Sequence, residues 1–224
     1  MNRVLPDSCT DILVRDTLEV IGAMRQAILV PVTPHLVNVG IRFKPGGGSA
    51  FFRLPLHEIT DESLHLRDLW GCSTDELSQR VNFAITAREK ITLIESFLLH
   101  RLDQLTTLDS TLQRAITAVR QARGDISITS LRTDLSLSER QLERTFLQHI
   151  GLSPRQFART TRFRQVVPLL NQTHLSLTDV AYRAGYYDQA HFIHDFKALA
   201  GVTPREYRRE QSDVGFLQFP TLTF

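Results

Sequence analysis

The chain has 224 residues, a formal net charge of +2, 42% hydrophobic residues and 22% charged residues, which is an ordinary globular composition. No apolar run approaches the roughly 18 residues that a membrane helix needs, so no membrane partner is expected. The start, MNRVLPDSCTD, becomes polar too early for a secretory signal, which predicts a cytoplasmic protein with reduced Cys9 and Cys72.

Charge divides the chain into two halves. Residues 1–108 carry 11 Lys and Arg against 13 Asp and Glu, a net charge of −2. Residues 109–210 carry 15 against 10, a net charge of +5, and fourteen of the fifteen cations are arginine. Arginine makes forked hydrogen bonds to phosphates and guanine edges, which favours a nucleic-acid partner, although solvated protein faces also carry arginine.

Short β-branched runs, broken by Pro and Gly clusters, predict strands over residues 1–60. The segment KPGGG (44–48) lacks the Lys-Ser/Thr pair of a phosphate loop, and no helical pattern opens there, so a turn is predicted. Residues 60–108 read as helices. A capping-box pattern, Ser73 with Glu76, predicts the start of one of them.

A longer helix is predicted from Ala87 onward. Its apolar residues recur at helical spacing, at Ile91, Ile94, Leu98 and Leu102. Such a stripe is either part of the core or a seam against a second copy of the chain.

The second half contains an internal repeat. The segment SLSERQLERTFLQHIGLSPRQF (136–157) aligns with GYYDQAHFIHDFKALAGVTPREY (185–207); after a one-residue slip in the turn, the offset is a constant fifty residues. Large apolar residues, glycine and proline occupy matching positions in the two copies, in the pairs Leu142/Phe192, Phe146/Phe196, Gly151/Gly201 and Pro154/Pro204.

Each copy predicts a capped helix, a tight turn and a second capped helix, which is the helix-turn-helix pattern. The predicted N-caps are Ser127, Ser138, Ser176 and Asp188; the turn residues are Ser136 and Gly185; the C-caps are Gly151 and Gly201. Ser153-Pro154 and Thr203-Pro204 each begin a further helix. The first of these, over 153–172, would link the copies, with Pro168 expected to kink it.

The second helix of each copy would present an outer face opposite its apolar anchors. Arg and Gln are the side chains that pair with guanine and adenine edges, so this face predicts insertion into a major groove. At 1.5 Å per residue the linking helix spans roughly 25 Å. Two recognition helices about 30 Å apart are then expected, against ~34 Å between successive major grooves. The alternative is that these positions are merely solvated.

These motifs resemble the AraC/XylS family of bacterial transcription regulators over 109–210. The resemblance implies double-stranded DNA as the partner, read by Arg140, Glu143 and Arg144 in the first unit and by Gln189, Ala190, His191 and His194 in the second. Phosphate contacts are expected at Ser153, Arg155, Lys197, Thr203 and Arg205. Relatives carry arginine where His194 stands, and histidine is shorter and mostly neutral at pH 7.

Residues 1–108 more loosely resemble the cupin-like sensor domain of one branch of these regulators. The likeness lies in PDSCTDILV, GIRFKPGG and LHEITDESLHLRDLWG. Cupins hold metal with a close His-x-His pair and a nearby Glu. His35, His57 and His65 lack that spacing, so no metal and no cofactor is predicted.

The predicted class is therefore α+β. A partial β-barrel with helices, acting as a sensor and dimerisation domain, would occupy 1–108. An all-α double helix-turn-helix domain would occupy 109–210, and an apolar tail 211–224. A small-molecule effector, a homodimer and, for an activator, RNA polymerase are partners that this resemblance allows. A non-enzymatic regulator is the leading hypothesis; a cupin-class enzyme, or an interaction module acting through VGFLQFPTLTF (214–224), is the alternative.

Overall fold

A computed structural model describes residues 1–15, 17–31, 39–102, 109–172 and 174–213. His35 and the segment 214–224 lie outside the described residues, so the predictions made for them stay predictions.

The N-terminal half contains six described strands in two antiparallel sheets. Strands β1 and β4 form a two-stranded sheet, and the other four form a sheet in the order β5-β2-β3-β6. The bounds are β1 Asn2–Val4, β2 Thr10–Val14, β3 Leu18–Ile21, β4 Ile28–Val30, β5 Val39–Phe43 and β6 Ser63–His65. The α+β class is confirmed.

Alternation along β2 explains how the larger sheet is built. Thr10, Ile12 and Val14 are buried while the residues between them are half-exposed, as expected for a strand with one covered face. Four helices cover that face: α1 Gly47–Phe52, α2 Leu66–Trp70, α3 Ser73–Phe83 and α4 Ala87–Leu102. A 3₁₀ helix, Leu56–Ile59, lies between α1 and β6. Phe52 stacks on Trp70 with ring centroids 5.6 Å apart, which ties α1 to α2.

Three local predictions in this half are wrong. Residues 60–108 are predicted to be helical, but Ser63–His65 within them forms strand β6. A helix does open in the glycine-rich segment, because the turn ends at Gly46 and α1 begins at Gly47. Burial of Phe52 against the sheet compensates for the poor helix propensity of these glycines. Ser73 is no N-cap: it is the first residue of α3, and its hydroxyl donates to the Trp70 carbonyl at 2.7 Å.

The predicted helix from Ala87 is confirmed as α4, but its apolar stripe is only partly buried. Ile94 is 2% exposed, whereas Ile91 is 40% exposed and Leu102 is 49% exposed. Part of the stripe therefore belongs to the core and part lies on the surface.

The second half is helical throughout its described residues. The helices are α5 Ser110–Gln121, α6 Ile128–Asp134, α7 Glu139–Ile150, α8 Pro154–Leu170, α9 Leu177–Arg183, α10 Gln189–Ala200 and α11 Pro204–Asp213. The predicted linking helix is α8, which continues through Pro168 to Leu170.

Two cores divide the second half between them. One contains residues of α5, α6 and α7 and the beginning of α8, including Phe157. The other contains residues of α9, α10 and α11 and the end of α8, including Phe163. Since α8 contributes to both, it joins two helix-turn-helix units that have separate cores.

The N-terminal half contacts the C-terminal ends of both α7 and α10. The buried Thr60 hydroxyl donates to the Gly151 carbonyl at 2.6 Å, at the end of α7. Arg3 donates to the Ala200 carbonyl at 2.9 Å, at the end of α10. The Ala27 amide donates to the Leu199 carbonyl at 2.7 Å. The final carbonyls of a helix lack partners within the helix, and here the N-terminal half supplies some of them.

Replacing Gly151 with alanine should destabilise the protein more than replacing Gly201. Both glycines end a helix at left-handed φ, 87° and 76°, so each alanine costs about 1–2 kcal/mol in backbone strain. A Cβ at Gly151 would also lie 2.9 Å from the Leu56 carbonyl oxygen, which is main chain and cannot move aside easily. At Gly201 it would meet only the tip of Arg3, at 3.3 Å.

We therefore expect Gly151→Ala to lower the free energy of unfolding by roughly 1–3 kcal/mol more than Gly201→Ala. Urea denaturation of both variants measures the difference. Equal decreases in the free energy of unfolding would show that the 3₁₀ helix leaves room for a side chain at the end of α7.

His149 should make stability depend on pH. Its Nδ1 lies 2.9 Å from the Ser49 hydroxyl. Burial holds the pKa of the imidazole below its ordinary value of 6.5, and the negative charge of Asp109 acts in the opposite direction by raising that pKa. Between the lowered folded pKa and 6.5 the unfolded chain binds more protons. The neutral imidazole therefore makes its full contribution to the free energy of unfolding above pH 6.5. This contribution is lost as the pH falls from 6.5 through the lowered pKa of the folded state.

The measurement is the free energy of unfolding of the parent and of His149→Gln between about pH 5 and pH 8. The parent should lose more stability than the variant on the acidic side. Parallel curves would contradict a partly buried neutral imidazole at this contact.

Candidate nucleic-acid interface

Helix α7 of the first unit is bounded by local signals in its own sequence. Ser138 accepts from the Gln141 amide at 3.2 Å, and the Gln141 side chain accepts from the Ser138 amide at 2.9 Å, so the predicted capping box is present. The predicted turn at Ser136 is present, with this residue in the left-handed conformation at φ 55°. Leu142 and Phe146 are 1% and 0% exposed, which fixes the buried side of the helix.

Helix α10 of the second unit repeats this arrangement with different residues. Asp188 caps it by accepting from the His191 amide at 2.7 Å, and Gly185 provides the left-handed turn at φ 80°. Phe192 and Phe196 are both 0% exposed. The two halves of the repeat therefore fold alike, as their alignment predicts.

The first helix of each unit is also capped as predicted. Ser127 accepts from the Ser130 amide at 3.3 Å. Ser176 and Asp179 form a capping box, and hydrogen bonds from the Ser176 hydroxyl and amide hold the pKa of Asp179 below its usual range. In each unit the residues that cap the helices therefore belong to the unit itself.

All seven predicted base readers are exposed, and the described part of the N-terminal half covers none of them. They are Arg140, Glu143 and Arg144 on α7, and Gln189, Ala190, His191 and His194 at the start and outer side of α10. Among the described residues, neither Arg140 nor Arg144 makes a salt bridge or a side-chain hydrogen bond, so both guanidinium groups keep their donors for a ligand.

Gln189 is already held in place. Its side-chain oxygen accepts from the Thr178 hydroxyl of α9 at 2.7 Å, which leaves the amide NH₂ to donate outward. The His191 ring packs edge-on against Tyr186 at 5.3 Å between centroids. These contacts restrict the rotamers of two predicted readers before any ligand arrives.

The predicted phosphate contacts fall into two kinds. Ser153 and Thr203 use their hydroxyls as N-caps, accepting from the Gln156 and Glu206 amides at 3.1 and 3.3 Å. Arg155, Lys197 and Arg205 are exposed cations near the ends of α8, α10 and α11. Whether they touch phosphate stays a prediction, as does the distance between α7 and α10.

Sequence reasoning missed a polar cluster between the two units. Asp195, on the inner side of α10, is only 7% exposed and bonds to Arg159 of α8 and to the Tyr186 hydroxyl, the latter at 2.9 Å. Burial, and next the charge of Asp195, raise the pKa of Tyr186, so its hydroxyl stays protonated and donates. A charge among the apolar inner positions of α10 was the available signal.

Within the described residues, no three His, Cys, Asp or Glu side chains come together as a metal site. No helix among them has the length and apolarity to cross a bilayer.

A tandem of capped helix-turn-helix units on one shared helix defines a double helix-turn-helix protein. Residues 131–210 match the family model of a helix-turn-helix domain, and residues 1–65 match a domain of unknown function. Residues 131–210 are thus similar to an AraC-type helix-turn-helix domain, as their motifs predicted.

Two curated relatives are similar to part of the chain. An uncharacterized HTH-type transcriptional regulator from Haemophilus influenzae is 33% identical over 105 residues, which are 46% of this chain and 35% of the relative. The HTH-type transcriptional activator RhaS of an Enterobacter species is 36% identical over 85 residues, 38% of this chain and 31% of the relative. The matched part spans about a third of each relative.

Two solved structures are also similar. ToxT K231A from Vibrio cholerae is 14% identical, covers 93% of this chain and 91% of its own, and has a TM-score of 0.49. The C-terminal domain of AraT, a response regulator from Geobacillus stearothermophilus, is 26% identical and has a TM-score of 0.44. The match covers 53% of this chain and 97% of the AraT domain.

Proposed function

We propose that the chain is a sequence-specific DNA-binding transcription regulator that places α7 and α10 in successive major grooves. The single observation that carries this proposal is the repeated unit, whose second helix is buried on one side and keeps Arg, Gln and His exposed on the other. The net charge of +5 over 109–210 would add attraction to phosphates, with the salt dependence that counterion release produces.

Base recognition would differ between the two units. Arg140 and Arg144 suit bidentate contact with guanine, and the NH₂ of Gln189 suits adenine N7. Ala190 can meet a thymine methyl. A site made of two unlike blocks about one helical turn apart is therefore expected.

The remaining partners follow from the same proposal. The family resemblance supports a small-molecule effector for the N-terminal half. The relatives named as activators support an activating role, for which RNA polymerase is the partner. A DNA partner implies a cytoplasmic location in bacteria.

Substituting Arg140 or Arg144 with alanine should weaken binding to a selected duplex by about 1–3 kcal/mol and relax preference at one base pair each. Selection from random duplexes supplies the site, and fluorescence anisotropy at several salt concentrations supplies the affinities. Arg15→Ala is the matched control, since Arg15 is an exposed arginine of the N-terminal half.

The control should keep the parent's affinity and site preference. If Arg140→Ala and Arg144→Ala both select the parent's site with unchanged affinity, these residues do not read bases.

We further propose that α4 and the end of α3 form a homodimer contact. Leu99 and Leu102 are 56% and 49% exposed, and Phe83 and Ile85 are 85% and 90% exposed, which is a large apolar area for a surface. Leu99→Lys together with Leu102→Lys should therefore produce monomers in analytical ultracentrifugation. A parent that is monomeric at about 100 µM, far above a micromolar Kd, would contradict the contact.

A further inference from the structure

Helix α8 is fixed in both helix-turn-helix units at once. Phe157, near its beginning, packs edge-on against Phe146 of α7 with ring centroids 5.7 Å apart. Phe163, less than two turns later, contacts Phe196 of α10 at 5.2 Å. The side chains between these two aromatic anchors therefore lie where one unit gives way to the other.

Arg159 lies in that interval and holds the second unit through Asp195. Among the described residues, Asp195 is the one buried charged side chain. A buried carboxylate is strongly unfavourable unless it is paired and hydrogen-bonded, and here Arg159 and Tyr186 provide the partners. The inner side of α10 can thus face α8 only where Arg159 reaches it.

Arg162, one turn further along α8, holds the first unit. Its guanidinium donates to the Gly124 carbonyl at 3.0 Å and to the Asp125 carboxylate at 3.2 Å, in the loop before α6. The same guanidinium lies over the Tyr186 ring of the second unit at 5.6 Å. One side chain therefore contacts both units.

Close approach of the main chain reinforces this arrangement. A Cβ at Gly124, which has φ 79°, would lie 2.2 Å from the Ala158 carbonyl oxygen, so the loop rests directly on α8. A Cβ at Gly185 would lie 3.9 Å from Asp125, so the turn of the second unit abuts the loop of the first.

We propose that Arg159 and Arg162 are positioning residues that hold the two units in one relative orientation and so determine which half-site spacing the protein accepts. This inference rests on the proposed DNA-binding function. Adding one base pair between half-sites moves the second by ~3.4 Å and rotates it by roughly 35°. Two units held together by these polar contacts on α8 cannot easily follow such a shift, whereas two units joined only by a helix follow it more easily.

The test uses duplexes that carry the two selected blocks at the selected spacing, or with one or two base pairs added or removed. A further duplex carries one block only. The full-length parent should bind the selected spacing at least about tenfold more tightly than the shifted ones. Arg159→Ala should lose affinity for the selected spacing, lose less for the shifted duplexes and bind the single block as the parent does.

Arg164→Ala is the matched control, because Arg164 is an exposed arginine of α8 outside this cluster. It should keep the parent's relative affinities across spacings. If Arg159→Ala fails to fold, the double variant Arg159→Met with Asp195→Leu replaces it in the test. This variant removes both charges and so leaves no buried carboxylate without a partner. It should show the same flattened spacing profile.

A folded variant whose spacing profile equals that of the parent overturns the positioning role and leaves the proposed function intact. A parent that selects no duplex overturns the proposed function itself. A parent that binds every spacing equally overturns the positioning role alone.

Discussion

The geometry of the second half depends on the pairing of Asp195 with Arg159. Each helix-turn-helix unit has its own core and its own caps. What the separate cores cannot set is the angle between the units. A carboxylate that is 7% exposed can be accommodated only where α8 presents a guanidinium, and this requirement ties α10 to the helix that also supports α7.

The N-terminal half adds a second constraint at the C-terminal ends of α7 and α10. Thr60 and Arg3 donate to the last carbonyls of α7 and α10, close to the glycines that end both helices. Glycine is required there because the helix stops in a left-handed conformation, and at Gly151 also because the Leu56 carbonyl leaves no space for a side chain. A single domain thereby contacts both units, although they are fifty residues apart in the repeat.

Much of the second half was predictable because its signals are local. The side chains of Ser138, Ser176 and Asp188 each accept a hydrogen bond from an amide three residues later, so these caps can be predicted from a short stretch of sequence. The same pattern failed at Ser73, whose hydroxyl bonds back to Trp70 instead. Helix α1 was missed because its stability comes from burying Phe52, and the Arg159–Asp195 pair was missed because no local pattern joins residues 36 apart.

The exposed outer sides of α7 and α10 have a consequence for regulation. The N-terminal half holds both helices by their C-terminal ends and leaves Arg144 and His194 open to solvent. A duplex bound at those side chains would therefore not compete with the N-terminal half for the same atoms. A conformational change in the N-terminal half would therefore act by tilting α7 and α10, whose outer sides would stay exposed. Such a change would alter how well the two helices fit a duplex and would not block access to them.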